Sequence, residues 1–318
     1  MVRRAWVKAA TVAALAVTAL APAALVPTGA VASPPIGLVG FSDIARTQAN
    51  AAATVRVPPG SSAYVARYTL APGTGISWRT LPGVAILSVL DGTLRVVRPN
   101  CRWTKAGAGL SSVLSPGTYL LGNGGKTPVE FVGVFVGLRK GAVPPLAAPG
   151  PKRPPAVCPV APGWTDPTAA GLFVTDIARG AFSGPAVGAA NRRQVRKGDG
   201  ILALKQGRDI LITTYFAAPG ASSGWISHYP ALTFVNRGVL SYYEQVDDGC
   251  ARRGEFRPGD AFGRADGHKV LTANEGDETV VLTSVYVNIP HRGAYLPAGN
   301  HLEAIDFSEF PPLECRRL

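Results

Sequence analysis

Histidine is scarce in this 318-residue chain: there are four, and none precedes His228. A metal cage made of several imidazoles is thereby excluded from the first two thirds of the sequence. Cysteine is equally scarce, four residues with no Cys-x-x-Cys spacing, which argues against structural zinc. Beyond the N-terminal segment no apolar stretch is long enough to cross a bilayer as a helix, and none keeps a 3.6-residue period. No Gly-x-Ser-x-Gly stands on a strand-to-helix turn, and no Ser/His/Asp order rises above chance, so the signatures of nucleophilic hydrolases are missing. Gly122-Asn123-Gly124-Gly125 is followed by no helix and reads as a hairpin connection, not a phosphate loop.

What the chain has in plenty is turns and repetition. Its 37 glycines and 28 prolines are scattered throughout, between runs rich in Val, Ile, Tyr, Phe and Thr, so the fold class is all-β. Asp43-Ile44-Ala45-Arg46 returns as Asp176-Ile177-Ala178-Arg179. Ala71-Pro72-Gly73 with Trp78 returns as Ala218-Pro219-Gly220 with Trp225, Pro116-Gly117 as Pro258-Gly259, and Gly141-Ala142 as Gly293-Ala294. A period of about 150 residues is too long for a solenoid and indicates two copies of one domain. The domains are 33–142 and 171–318, the second including a loop-rich tail, joined by a Pro-rich linker at 143–170. Pro34 to about Asp43 reads as a lead-in. Predicted strands lie at Thr54–Pro58, Ser62–Leu70, Val84–Leu90, Gly92–Arg98 and Thr127–Arg139 in the first copy. In the second they lie near Gly200–Lys205, Arg208–Phe216, Ala231–Asn236, Val239–Val246 and Thr279–Ile289.

Residues 1–32 read as an export signal. Arg3, Arg4 and Lys8 precede an Ala/Leu/Val-rich stretch from Ala9 to Val26, and Ala30-Val31-Ala32 offers a cleavage site before Ser33. The mature chain is expected to be secreted or extracytoplasmic with no membrane span, by the general secretory or the twin-arginine route. Of the net charge of +12, three positive charges belong to the signal, leaving +9. The basic residues are dispersed, with small groups at Arg192-Arg193, Arg252-Arg253 and Arg316-Arg317, and no aromatic interleaving suggests base stacking. Nucleic acid is not an expected partner; an anionic cell-wall polymer is an open one.

Four cysteines allow three pairings. Cys101 and Cys250 occupy matching places in the two copies, as do Cys158 and Cys315 beyond them, so symmetry predicts Cys101–Cys158 and Cys250–Cys315. Closing such loops stabilises by roughly 4 kcal/mol each in the chain-entropy model.

The shared order is a strand, Ala-Pro-Gly, a Trp segment, an apolar strand, Gly, a strand, Cys, a Pro-Gly turn and an apolar strand. It resembles the cupins, and more closely the small exported cupins of actinobacteria with a Gly-Trp-His-x-His-Pro-Gly segment and a later His-x-His-x-x-x-Asn segment. The resemblance implies two tandem double-stranded β-helix barrels, jelly-roll-like, each with a metal held by two His of the first segment and one of the second. In the first copy Arg79 and Leu81 stand where the two His belong, and neither ligates a metal. In the second, Ile226 replaces one His and His228 keeps the other, while His268 is kept and Val270 takes the usual ligand place. Glu244, on the next strand, is the candidate carboxylate.

Three readings of His228 stay open: a ligand with His268 and Glu244, a hydrogen-bonding group in a metal-free pocket, or a former ligand now structural. Trp78 and Trp225 are either an aromatic wall for a ligand or lids on the core. Arg79 either receives an anion or reaches solvent. The resulting expectation is an exported degenerate bicupin, monomer or homodimer, that binds a small molecule without a cofactor or serves structurally. The alternatives are a metal-dependent oxygenase, isomerase or decarboxylase using one divalent first-row metal in the second barrel, and a cell-envelope interaction module.

Overall fold

The computed structural model describes residues 38–58, 60–139, 146, 172–182, 200–224, 226–246, 249–264 and 269–292. Among them every regular element is a strand. The first repeat contributes β1 (Leu38–Ala49), β2 (Ala53–Val57), β3 (Ser62–Leu70), β4 (Gly75–Leu81), β5 (Val84–Asp91), β6 (Thr93–Val97), β7 (Trp103–Gly107), β8 (Leu110–Leu114), β9 (Gly117–Gly122) and β10 (Val129–Leu138). The second contributes β11 (Leu172–Phe182), β12 (Gly200–Leu204), β13 (Asp209–Ala217), β14 (Ile226–Ser227), β15 (Ala231–Arg237), β16 (Leu240–Val246), β17 (Gly249–Phe256), β18 (Asp260–Arg264), β19 (Lys269–Ala273) and β20 (Val280–Ile289).

The two repeats trade their first strands. β1 runs antiparallel to β13 of the second repeat, and β11 runs antiparallel to β3 of the first. Each traveller then returns to a parallel contact, β1 with β8 at Gln48–Leu110 and β11 with β18 at Ala181–Asp260. The result is one closed ring of ten strands, β1-β13-β20-β15-β18-β11-β3-β10-β5-β8. β2 and β12 pair antiparallel beside it. The repeated Asp-Ile-Ala-Arg marks the same irregularity in both travellers: the register shifts between Asp43 and Ala45 and between Asp176 and Ala178. Ile44 and Ile177 are the extra residues, and both pack against the central core.

Alternation along the ring strands builds three cores from one sheet. In β3, Ala63 and Val65 face a central core that gathers residues of both repeats, while Tyr64, Ala66, Tyr68 and Leu70 face the interior of a first lobe. β10 divides likewise: Val132, Val134 and Val136 turn to the centre, and Phe131 and Phe135 turn to the lobe. In the second lobe Ile212, Leu232 and Val285 face the centre, opposite Leu211, Val235 and Tyr286. Such side chains stabilise by about 1.5–3 kcal/mol each when fully buried. Each lobe is closed by a four-stranded outer sheet, β4-β9-β6-β7 in the first and β14-β19-β16-β17 in the second.

Two local expectations are corrected. Of the lead-in at Pro34–Asp43, residues 38–43 are strand, the start of β1, whose Ala45 and Ala49 reach the central core. The segment at Gly122–Gly125 is no hairpin: β9 pairs with β4 and β6 in the outer sheet, β10 with β3 and β5 in the ring, so the chain crosses between sheets there. Asn123, fully buried, holds that crossing by donating to the Leu70 and Thr127 carbonyls and accepting from Gly125 N–H. Asn274 repeats the arrangement with Ala217, Glu278 and Gly276. The repeated Ala-Pro-Gly turns dock on the same asparagines, Gly73 N–H on the Asn123 carbonyl and Gly220 N–H on that of Asn274. Of the linker at 143–170 the structure describes Leu146 alone; the signal segment, Cys158, Cys315 and His301 lie outside the described residues.

Candidate functional site

The two lobe interiors are floored by equivalent strands, β3-β10-β5-β8 in the first and β13-β20-β15-β18 in the second, and their registers match residue for residue. The middle row of the first floor is Ala66–Gly133–Leu87–Ser112. Above it the space is filled by rings: Tyr68 stacks on Phe131 at 5.0 Å and meets Phe135 edge-on at 6.2 Å. A Cβ on Gly133 would lie 2.7 Å from the Phe135 ring and 3.0 Å from Tyr68, so glycine is required by the packing. The Tyr68 hydroxyl is fully buried without a hydrogen-bond partner among the described residues, and burial pushes its ionisation far above the usual phenol range.

The middle row of the second floor is Thr213–Ser284–Thr233–Phe262. Three hydroxyls thus replace Ala66, Gly133 and Leu87. All three residues are buried, with the Thr233 and Ser284 hydroxyls 2.9 Å apart and the Thr213 hydroxyl donating to the Ser42 carbonyl of the exchanged strand at 3.1 Å. On the neighbouring row Tyr286 takes the place of Phe135. It meets His228 edge-on at 5.8 Å and Tyr215 edge-on at 6.4 Å.

His228 is 4% exposed, and its Nδ1 lies 2.6 Å from the Tyr229 carbonyl. A carbonyl only accepts, so Nδ1 carries the proton, and in the neutral ring Nε2 is the acceptor nitrogen. The first repeat has Leu81 at this place, part of its apolar lobe core.

The remaining candidates divide as follows. Trp78 is buried, at 7% exposure. Arg79 donates through Nη1 to the Ser77 hydroxyl at 2.5 Å and to the Trp78 carbonyl, and through Nε to the Leu146 carbonyl at 3.2 Å. It therefore ties the linker to the lobe. Trp225 and His268 lie outside the described residues. So does the side chain of Glu244, whose backbone pairs with Val270 and Ala251. No group of three His, Cys, Asp or Glu that could hold a metal occurs among the described residues. Val270 is buried in the lobe core and Ile226 packs against that core near His228, while the other two candidate ligands, His268 and the Glu244 side chain, lie outside the described residues.

Gly220-Ala221-Ser222-Ser223-Gly224 spells the nucleophile pattern of hydrolases, yet the segment joins two strands and no helix follows it. The Ser222 hydroxyl accepts from Gly224 N–H, and the Ser223 hydroxyl donates to the Gly224 carbonyl and accepts from Thr272 N–H, so both serve the fold.

No family model matches the chain, and no curated protein matches it. Among solved structures, a variant of oxalate decarboxylase from Bacillus subtilis is 13% identical over 79% of each chain, with a TM-score of 0.31. A cupin 2 conserved barrel domain protein from Leptotrichia buccalis is 10% identical, covering 80% of this chain and all of that one, with a TM-score of 0.28. Another from Salinispora arenicola is 23% identical but covers only 24% of this chain, with a TM-score of 0.21. The solved structures this chain resembles are thus cupin-fold proteins, at overlaps that say nothing of activity.

Proposed function

We propose that this protein is an exported degenerate bicupin whose second lobe binds a small, hydroxyl-bearing molecule without a metal, while its first lobe serves as scaffold. The observation that carries the reading is the row Thr213–Ser284–Thr233 facing the second interior where the first has Ala66–Gly133–Leu87. The second floor's row carries three hydroxyls, bonded to one another and to the Ser42 carbonyl, where the first floor's row carries one, that of Ser112. Tyr286 in place of Phe135, and His228 in place of Leu81, add two polar side chains to the same lobe. Hydroxyls and one imidazole are the polar groups that these described residues present, and they suit a hydroxyl-bearing ligand.

The reading includes one disulfide in each half, Cys101–Cys158 and Cys250–Cys315. Its support is that Cys101 is disulfide-bonded and that no free cysteine occurs among the described residues. A non-reducing peptide map tests the pairing.

The functional test has two arms. Thermal unfolding of the mature chain is followed with glucose, myo-inositol and xylitol, and one of them is expected to raise Tm by mass action. Thr233→Val, which keeps shape and removes the hydroxyl, is expected to abolish that rise. Metal analysis of the purified protein is the second arm. One first-row metal per chain, lost in His228→Ala, would replace this reading with the metal-dependent enzyme.

A further inference from the structure

The outer sheet of the first lobe carries a surface that the lobe interiors do not explain. β6 and β7 form a hairpin in which Arg95 stands directly opposite Lys105, and Val97 opposite Trp103. Leu94, Val96 and Ala106 turn inward to the lobe core, so Arg95, Lys105 and Trp103 share the other face with Val97, which is itself buried. Trp103 is a tryptophan left 45% exposed. The guanidinium of Arg95 lies over its ring, 5.2 Å from the centroid. Gly124 backs it from the crossing loop: a Cβ there would come within 2.8 Å of the guanidinium carbon. Arg95 is thus clamped flat between an indole and a glycine backbone. The turn at the tip adds Arg98 and Arg102, both exposed.

None of these four cations forms an ion pair among the described residues. Like charges directly opposite on a sheet destabilise it. A neutral or acidic partner to Lys105 would relieve the strain, and the hairpin supplies none.

We propose that this face binds an acidic polysaccharide whose charge is carried by carboxylates on the sugar rings. A pyranose laid on the open face of Trp103 places its ring carboxylate beside Arg95 and Lys105, where the planar fork of arginine takes it bidentately. Single-stranded nucleic acid fits less well, because stacking successive bases uses several rings and this face offers one. The surface lies on the first lobe and is independent of any ligand held in the second.

The test uses the full mature chain in affinity electrophoresis through polygalacturonate, with neutral dextran, polyphosphate and a single-stranded DNA oligomer in parallel. Retardation by polygalacturonate is expected, weakening steeply between about 50 mM and about 300 mM salt as the charges are screened. Trp103→Ala and Arg95→Gln are each expected to weaken it about tenfold, as loss of an anchoring Trp or Arg does. Lys105→Gln should weaken it less while leaving thermal stability unchanged or raised, which separates loss of binding from loss of fold. Retardation untouched by Trp103→Ala and Arg95→Gln, equal retardation by dextran, or tighter binding to the oligomer or to polyphosphate would each overturn the proposal.

Discussion

The first and second lobes share a backbone plan and differ in what they put inside it. Their floors align strand for strand, their crossings hang on Asn123 and Asn274, and their travelling strands bulge at the same Asp-Ile-Ala-Arg. Inside, one lobe is packed with Tyr68, Phe131 and Phe135 over a glycine, and the other presents three hydroxyls under Tyr286 and His228. Duplication preserves what holds the sheets together, because a lost asparagine leaves several backbone groups unsatisfied in a dry place. Interior rows are free to diverge, since any set of side chains that fills the volume and satisfies its polar atoms will do.

The comparison is broken most severely by emptying the packed lobe. Phe131→Ala removes a fully buried ring stacked on Tyr68 and is expected to cost about 3–5 kcal/mol in chemical denaturation. Because each lobe holds a strand of the other, unfolding should remain a single transition. Two separated transitions, one shifted and one not, would contradict the exchange of β1 and β11. Next come the asparagines. Asn123→Ala and Asn274→Ala each remove two donated bonds and one accepted bond from a buried side chain. Each should cost about 2–3 kcal/mol. Near-equal losses are the expected signature of a shared device, and a lone effect in one lobe would argue against it.

A swap between the rows sharpens the contrast further. Gly133→Ser brings the second lobe's residue into the first and forces a Cβ against Phe135 and Tyr68, costing about 1–3 kcal/mol. The reciprocal Ser284→Gly has no such clash and should cost about 1 kcal/mol or less, as glycine does in a strand. Equal costs in denaturant titrations of the two variants would mean that the first interior is looser than its ring contacts imply.

Much of this architecture is legible in the sequence, for identifiable reasons. Apolar runs at β3, β5, β10, β13, β15 and β20 announce themselves because these strands are buried on both faces, and the duplicated motifs mark the turns between them. β1, β4, β7, β9 and β11 escape such reading. Each exposes one face, so Arg46, Thr47 and Gln48, or Trp103, Thr104 and Lys105, look like loop. Nor does the spacing of Asp43 and Asp176 tell that their strands change places, since exchange and retention bury the same residues. The second lobe's hydroxyl row is invisible for the same kind of reason: Thr213, Ser284 and Thr233 lie on three strands and meet only in register. The cluster of Arg95, Arg98, Arg102 and Lys105 likewise forms only once the hairpin folds. His228 is picked out by the sequence as a candidate, because a lone histidine in a motif position stands out. What surrounds it is not.

The smallest contrast lies in how each travelling strand is fastened, and it depends on pH. Asp209 at the start of β13 is 4% exposed and receives the Arg46 Nε from β1 at 3.0 Å, His291 Nδ1 at 2.8 Å and Arg292 N–H at 3.2 Å. Burial by itself would raise its ionisation, but the hydrogen bonds from His291, Arg46 and Arg292 outweigh it and hold the carboxyl below the usual range. A carboxylate depressed in the folded state stabilises fully above its unfolded pKa, and that contribution is lost as pH falls through the folded value. The first lobe has Ser62 at the matching place, and β11 is fastened instead by Asp176, which takes the Tyr64 hydroxyl and the exposed Arg179. Asp209→Asn should therefore cost about 1–2 kcal/mol near neutrality, by the usual weight of hydrogen bonds to a charged group. The gap to the parent protein should shrink as both are titrated below the ordinary carboxylate range. Denaturation midpoints measured across that range check it, and a gap that stays constant into strong acid would show that β1 is held by its backbone ladder and not by the Asp209 carboxylate.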